Sequence, residues 1–197
     1  MDFAAIFHAL SIWALPLLAA VILHEVAHGR VAEILGDSTA RQAGRLTLNP
    51  LAHIDPVGTV ALPLLLLIVG APFLFGYAKP VPVNFMRLRH RYGMVLVALA
   101  GPATNVVLAL FSALLLGLTI YLPVWMAESV VISCQASILI NMVLAIFNLI
   151  PLPPLDGGRV LVGLLPDPLA SYVARIEPLG VVILVALLVT GVLQPLL

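Results

Sequence analysis

The sequence predicts an all-α membrane protein, a polytopic helical bundle of about four spanning helices with a re-entrant hydrophobic segment and a small β element. Of its 197 residues, 62% are hydrophobic and only 9% are charged, whereas a soluble domain carries about 25% charged residues. Apolar runs long enough to cross the hydrocarbon core as helices, which takes about 20 residues, recur along the chain. We expect one membrane-embedded domain over residues 1–197, with its core over 4–160 and a C-terminal amphipathic segment and span over 161–197.

Four segments reach or approach the spanning length. They are 4–23 (with the helix continuing to about residue 35), 93–121, 130–150 and 178–196. A fifth apolar segment, 57–75, is interrupted by Pro63, Gly70 and Pro72. We expect this segment to dip into the membrane and return, with its backbone buried in protein, because lipid cannot satisfy irregular backbone groups.

The β element is predicted from two polar stretches between the spans. In residues 76–84, Pro80 and Pro82 remove backbone donors two residues apart, so both affect the same edge of an extended chain. This pattern indicates an edge strand that can donate on one side only. A short alternating run at 45–48 favours a hairpin.

The distribution of charge predicts the topology, because cytoplasmic loops accumulate lysine and arginine. If 57–75 does not cross, all nine basic residues lie on one side of the membrane, with Asp2 and Glu128 on the other; a crossing would split the basic residues three against six. The non-crossing topology is favoured. The net charge of zero gives no sign of a nucleic-acid partner, and the single cysteine, Cys134, excludes an internal disulfide.

A metal site is indicated by His-Glu-Val-Ala-His at residues 24–28. At 3.6 residues per turn, His24 and His28 lie on one helix face and can reach one metal ion. Glu25 points about 100° away from His24, where it can serve as the general base. A chance match is the alternative, but ionisable groups at membrane depth are costly and usually functional.

Catalytic zinc needs a third protein ligand, and the sequence offers His53, Asp55 and Asp156. Asp156 follows three prolines that impose an extended segment and precedes Gly157 and Gly158, which allow a sharp turn. A carboxylate held in this way is a plausible ligand. An ordinary helix-capping aspartate is the alternative.

Three motifs, His24 to His28, Gly101-Pro-Ala-Thr-Asn105 and Asn148 to Gly157, together resemble the site-2 protease family of intramembrane zinc metalloproteases, peptidase family M50. The resemblance covers about residues 10–160, and the stretch 49–56 is similar to that of short prokaryotic members without a PDZ domain. It implies a multi-pass membrane protein with a transmembrane protein as its substrate. From the resemblance together with the charge bias, we expect the inner (plasma) membrane, with the active site toward the cytoplasm and the β element near that site.

The resemblance also implies roles for individual residues. Asp156 would be the third ligand of one zinc ion per chain, and Asn148 would help to hold the substrate carbonyl or its oxyanion. We predict that His53 is an outer-sphere or substrate-contacting residue and that Asn105 pins its helix near the site. Asn141 lies on a polar stripe that is typical of helix packing in membranes.

Two other classes of function remain as alternatives. A metal transporter or metal sensor would need ionisable groups along several spans, whereas those of this chain gather at one depth. A catalytically silent relative that binds membrane segments would lack Glu25 or a ligand, and each of these residues is present. The sequence does not indicate an oligomeric state.

Overall fold

The fold is a bundle of helices, and the computed structural model describes residues 3–70 and 76–190 of the chain. The α-helices in these residues are α1 (Phe3–Ile34), α2 (Thr39–Gln42), α3 (Leu62–Ile68), α4 (Gly93–Leu118), α5 (Val124–Asn148), α6 (Asp156–Leu164), α7 (Asp167–Ala174) and α8 (Glu177–Val189). Short 3₁₀ turns at Pro50–His53, Phe85–Arg87 and Thr119–Tyr121, and a π turn at Pro56–Ala61, complete the helical elements.

Three of these helices form the centre of the bundle, where α1, α4 and α5 each pack against the other two. Small buried residues such as Ala20, Ala98 and Ala109 lie on their inner faces, where they allow close approach of helices in lipid. Large apolar residues such as Leu110 and Trp125 are exposed, as expected where lipid replaces water. The stretches Ile12–Ile34, Gly93–Tyr121 and Val124–Asn148 are long and apolar enough to cross a membrane.

The prediction of about four spans is confirmed only in part. Within the described residues, three helices are by themselves long and apolar enough to cross a membrane. The helices Asp167–Ala174 and Glu177–Leu187 reach that length only together, as a pair bent by 61°. The end of the predicted span 178–196 lies outside the described residues. Helix α5 begins at Val124, earlier than the predicted residue 130, because Pro123 ends the preceding loop and Glu128 is accommodated within the helix.

The segment predicted to be re-entrant contains a short apolar helix. Asp55 accepts hydrogen bonds from Val57 N (2.9 Å) and Gly58 N (2.7 Å) and so caps the π turn that leads into α3. Helix α3 ends at Ile68, and Gly70 adopts a φ of 66°, a conformation that glycine tolerates without steric cost. Residues 71–75 lie outside the described part of the chain.

The predicted β element is wrong for the described residues, which contain no strand at 45–48, at 76–84 or elsewhere. Residues 76–84 are irregular because other partners take their amides. Lys79 N donates to His53 O (2.9 Å), and Val81 N donates to the Glu25 carboxylate (2.8 Å). A loop carbonyl and a helix side chain thus replace the neighbouring strand that a ladder requires.

A buried carboxylate anchors the far end of this segment to the loop after α1. Asp37 is fully buried and accepts hydrogen bonds from Asn84 N (2.6 Å), Thr39 N (3.1 Å) and the Thr39 hydroxyl. Burial raises the pKa of Asp37, but these hydrogen bonds outweigh it and leave the pKa below its ordinary value. The segment is thereby held alongside the part of α1 that carries the histidines.

Candidate metal centre

His24 and His28 project from consecutive turns of α1 toward the same point. Both side chains are buried, their ring centroids are 4.6 Å apart, and their Nε2 atoms approach to 3.0 Å. The spacing of four residues produces this pairing directly, because residues i and i+4 are neighbours on a helix face.

Asp156, the first residue of α6, brings a carboxylate to the two imidazoles. Its Oδ2 atom lies 3.1 Å from His24 Nε2 and 3.3 Å from His28 Nε2. The two glycines after it permit this placement: a Cβ on Gly157 would lie 2.2 Å from Leu149 O, and one on Gly158 would lie 2.2 Å from Pro153 N. The turn into α6 therefore packs against residues 149–153, which follow α5, more closely than a residue with a side chain allows.

Hydrogen bonds on the outer side of each imidazole determine its tautomer. His28 Nδ1 lies 2.7 Å from Val97 O, and a carbonyl can only accept, so Nδ1 carries the proton. His24 Nδ1 lies 2.6 Å from Asn105 Oδ1. The Asn105 amide is oriented by its Nδ2, which donates to Asn141 Oδ1 (2.8 Å) and, over a longer distance, to Ala20 O (3.3 Å); the proton of His24 is therefore also on Nδ1.

This arrangement fits a cation. With both protons on Nδ1, two unprotonated Nε2 atoms and a carboxylate oxygen face one another, and Asp156 Oδ2 has no hydrogen-bond partner although it is buried. Three converging lone pairs repel each other unless a positive charge lies between them. Two imidazoles and one carboxylate form a ligand set found in catalytic zinc sites, and outer hydrogen bonds to each histidine are typical of them.

Gly101 of α4 gives the histidines their space. A Cβ at this position would lie 2.5 Å from the Nε2 atoms of both His24 and His28. We expect Gly101→Ala to displace the imidazoles and to weaken zinc affinity by at least about 10-fold, the lower end of the effect of disturbing an outer partner. Zinc affinity of the purified protein, measured by competition with a chelator, tests this.

Gly117→Ala is the matched control for Gly101→Ala. Gly117 lies on the same helix, and a Cβ there would meet nothing within 4 Å. The control should bind zinc as wild type does; equal affinities of the two variants would contradict the steric role of Gly101.

Glu25 lies beside this cluster, on the wall of a cavity of about 440 Å³. It is half-buried, and its Oε2 atom accepts the hydrogen bond from Val81 N. The same cavity is lined by His24, His28 and Asp156. A carboxylate within the cavity and next to the ligands can exchange a proton with a molecule bound there.

The other candidate residues are placed differently. Asn148 lines the cavity, but its Nδ2 donates to Leu144 O (3.0 Å) in its own helix. His53 is buried and its Nε2 donates to Thr47 O (2.9 Å); it belongs neither to the described metal-ligand group nor to the cavity wall. Of the three possible third ligands, the fold brings Asp156 to the histidines.

Asn141, predicted to serve helix packing, accepts a hydrogen bond from Asn105 across the α4–α5 interface (2.8 Å). Sequence reasoning did not predict that this bond reaches the site through Asn105, although the polar stripe shared with Asn148 was an available signal; it also missed a second contribution. The hydrogen bond from Val81 to Glu25 joins residues 56 positions apart, and no local pattern indicates it.

The fold and the buried cluster define a membrane protein with a site that could hold a metal ion. The model of "Peptidase family M50" matches residues 123–190, which include Asp156. The chain is 38% identical to YwhC of Bacillus subtilis, over 88% of this chain and 78% of YwhC. It is 34% identical to Rip2 of Mycolicibacterium smegmatis, over 90% of this chain and 66% of that relative. Both names contain the words zinc metalloprotease.

The chain belongs to peptidase family M50 and is a metallopeptidase. It spans about half of another relative, Rip2 of Mycobacterium tuberculosis, which it matches at 33% identity over 53% of that protein. No solved structure matches the chain significantly.

Proposed function

We propose that the chain is an intramembrane zinc metalloprotease that hydrolyses peptide bonds of transmembrane or membrane-associated proteins, with His24, His28 and Asp156 holding one zinc ion. The observation that carries the proposal is the convergence of these three side chains, with their lone pairs facing one another, on a cavity that also contains Glu25. Both histidines belong to a helix that meets the criterion for a membrane span, which supports cleavage within or near the membrane.

Glu25 is the general base of the proposed reaction. When bound, zinc supplies a Lewis acid that polarises the scissile carbonyl and brings the pKa of water toward 7. Glu25 takes the proton of the attacking water and returns it to the leaving amine, a contribution of about 10² to 10⁴ in rate. The hydrogen bond from Val81 N (2.8 Å) holds one oxygen of the carboxylate in place.

Asn148 is the proposed donor to the developing oxyanion. Its side chain lines the cavity, and one N–H of its Nδ2 donates to Leu144 O. The amide nitrogen carries a second N–H, which is the proposed donor to the oxyanion; such a donor contributes most when charge develops.

The extended segment at 76–83 forms one side of the cavity and is the proposed support for an unwound substrate. Its amides at Lys79 and Val81 face the protein, and Pro80 and Pro82 have no amide hydrogen to present on the opposite edge. The opposite edge therefore offers mainly carbonyl acceptors to an extended peptide. A transmembrane helix must unwind locally to pair there, and helix-weakening residues in the substrate favour this.

The proposed location is the inner (plasma) membrane, with the active site toward the cytoplasm. Within the part of segment 57–75 that the structure describes, the apolar helix Pro56–Leu66 is too short to span the bilayer, which supports the re-entrant topology. That topology puts all nine basic residues on one side, in agreement with the positive-inside rule.

Metal removal tests the proposal. The purified full-length protein, reconstituted in vesicles with a single-span substrate, should cleave it when loaded with zinc. Cleavage should fall to background after dialysis against a chelator and return when zinc is restored. Full cleavage by protein shown to be metal-free, or a wild-type protein that binds no zinc, would exclude this function.

A further inference from the structure

A buried chain of side-chain amides leads from His24 into the interface between α4 and α5. Asn105 accepts a hydrogen bond from His24 Nδ1 through its Oδ1. Its Nδ2 donates to Asn141 Oδ1 at 2.8 Å. Asn141 in turn donates from its Nδ2 to Ser137 O at 2.9 Å. Asn105 and Asn141 are 0% and 1% exposed, so water cannot replace either partner.

The donor-to-acceptor direction of these amide hydrogen bonds is determined by backbone carbonyls, which can only accept. Ser137 O requires the nitrogen of the Asn141 amide on its side, and this leaves Asn141 Oδ1 facing Asn105. The Asn105 nitrogen then has two acceptors, Asn141 Oδ1 and the more distant Ala20 O at 3.3 Å. Its oxygen is thereby turned toward His24.

We infer that Asn141 is a positioning residue of the metal centre: by orienting the Asn105 amide, it keeps the proton of His24 on Nδ1 and the ligand atom Nε2 free. This inference rests on the proposed function, which supplies the metal ion. Without Asn141, the Asn105 nitrogen keeps only its long hydrogen bond to Ala20 O, and the amide can turn over. Its nitrogen would then face His24 Nδ1, favour the proton on Nε2, and compete with metal binding.

Asn141→Leu removes the hydrogen bonds while keeping a side chain of similar size. We expect it to weaken zinc affinity by about 10- to 100-fold, the range typical of outer partners of a metal ligand. Asn141→Asp should restore binding to within about 3-fold of wild type, because a neutral buried carboxylic acid accepts from Asn105 and donates to Ser137 O. Rescue of this kind distinguishes a positioning role from simple packing.

Ser112→Ala is the matched control. The Ser112 hydroxyl bonds to the Ser137 hydroxyl (2.7 Å) in the same interface. The Ser137 hydroxyl also lies 3.3 Å from Asn141 Nδ2, but the shorter hydrogen bond from this nitrogen to the Ser137 carbonyl (2.9 Å), which the change leaves intact, keeps the orientation of the Asn141 amide. The control loses a buried hydrogen bond of the α4–α5 interface and keeps the bond from Asn141 to Ser137 O, so its zinc affinity should remain that of wild type.

The experiment uses the full chain in detergent, stripped of metal and titrated with Zn²⁺ against a chelator and with Co²⁺ by visible absorption. Melting temperatures confirm folding, and Asn141→Ala replaces Asn141→Leu if the latter does not fold. Weak binding by the apolar variant with normal binding by Asn141→Asp and Ser112→Ala supports the inference. Wild-type affinity in the apolar variant overturns the inference alone, whereas failure of wild type to bind metal overturns the proposed function as well.

Discussion

Glu25→Gln should lower the rate of peptide hydrolysis by about 10² to 10⁴-fold, the usual contribution of a positioned general base, and leave zinc bound. The substitution is nearly isosteric. The glutamine oxygen can still accept the hydrogen bond from Val81 N, which holds Glu25 in the structure at 2.8 Å. The change therefore removes proton transfer while it preserves the contact between α1 and the extended segment. Zinc content and cleavage of a single-span substrate, measured on the same preparation, separate the two effects.

Glu33→Gln provides the comparison for this variant. Glu33 is on the same helix and pairs with Arg41 and Arg30 (3.2 Å), away from the cavity. Exposed ion pairs contribute little to stability, so this variant should cleave at the wild-type rate. Undiminished cleavage by Glu25→Gln would refute the assignment of the general base while leaving the metal site intact.

Asp156→Asn should abolish activity by a different route, through loss of zinc. An amide oxygen has the size of the carboxylate oxygen but no negative charge to offset the cation. We expect zinc affinity to fall by more than about 100-fold, beyond the range for partners that only orient a ligand. Chelator competition on the purified protein measures this, and excess zinc should recover part of the activity.

Asp167→Asn is the corresponding control, because Asp167 also lies in the first turn of a short helix but outside the ligand group. Both substitutions remove a negative charge from a helix N-terminus, where it contributes about 0.3–1 kcal/mol. A shared loss of stability would therefore cancel in the comparison. Zinc affinities that fall equally in the two variants would contradict ligation by Asp156.

The sequence predicted those parts of the molecule that depend on short-range geometry. The three long helices follow from apolar runs of sufficient length, and the pairing of His24 with His28 follows from the helical repeat. The predicted span 130–150 leaves Glu128 outside it, whereas α5 begins at Val124; within a long apolar helix, one charged side chain does not interrupt the hydrogen bonding.

The predicted strand failed for a reason that only long-range contacts reveal. Within residues 79–83, Pro80 and Pro82 leave amide donors only at alternate positions, those of Lys79, Val81 and Val83. The partners of the first two donors proved to be His53 O and the Glu25 carboxylate, which replaced a second strand. A strand needs a neighbouring backbone, and no local pattern states what lies beside an extended segment.

What the sequence alone determined is the helical, membrane-protein character of the chain and the presence of two histidines at helical spacing. The tertiary structure decided which of three possible third ligands reaches them, because Asp156 arrives from a helix more than 120 positions away along the chain. It also decided the tautomers, through Val97 O and Asn105. Side-chain spacing is a local property of the helix, whereas ligand convergence and proton placement depend on which helices pack together.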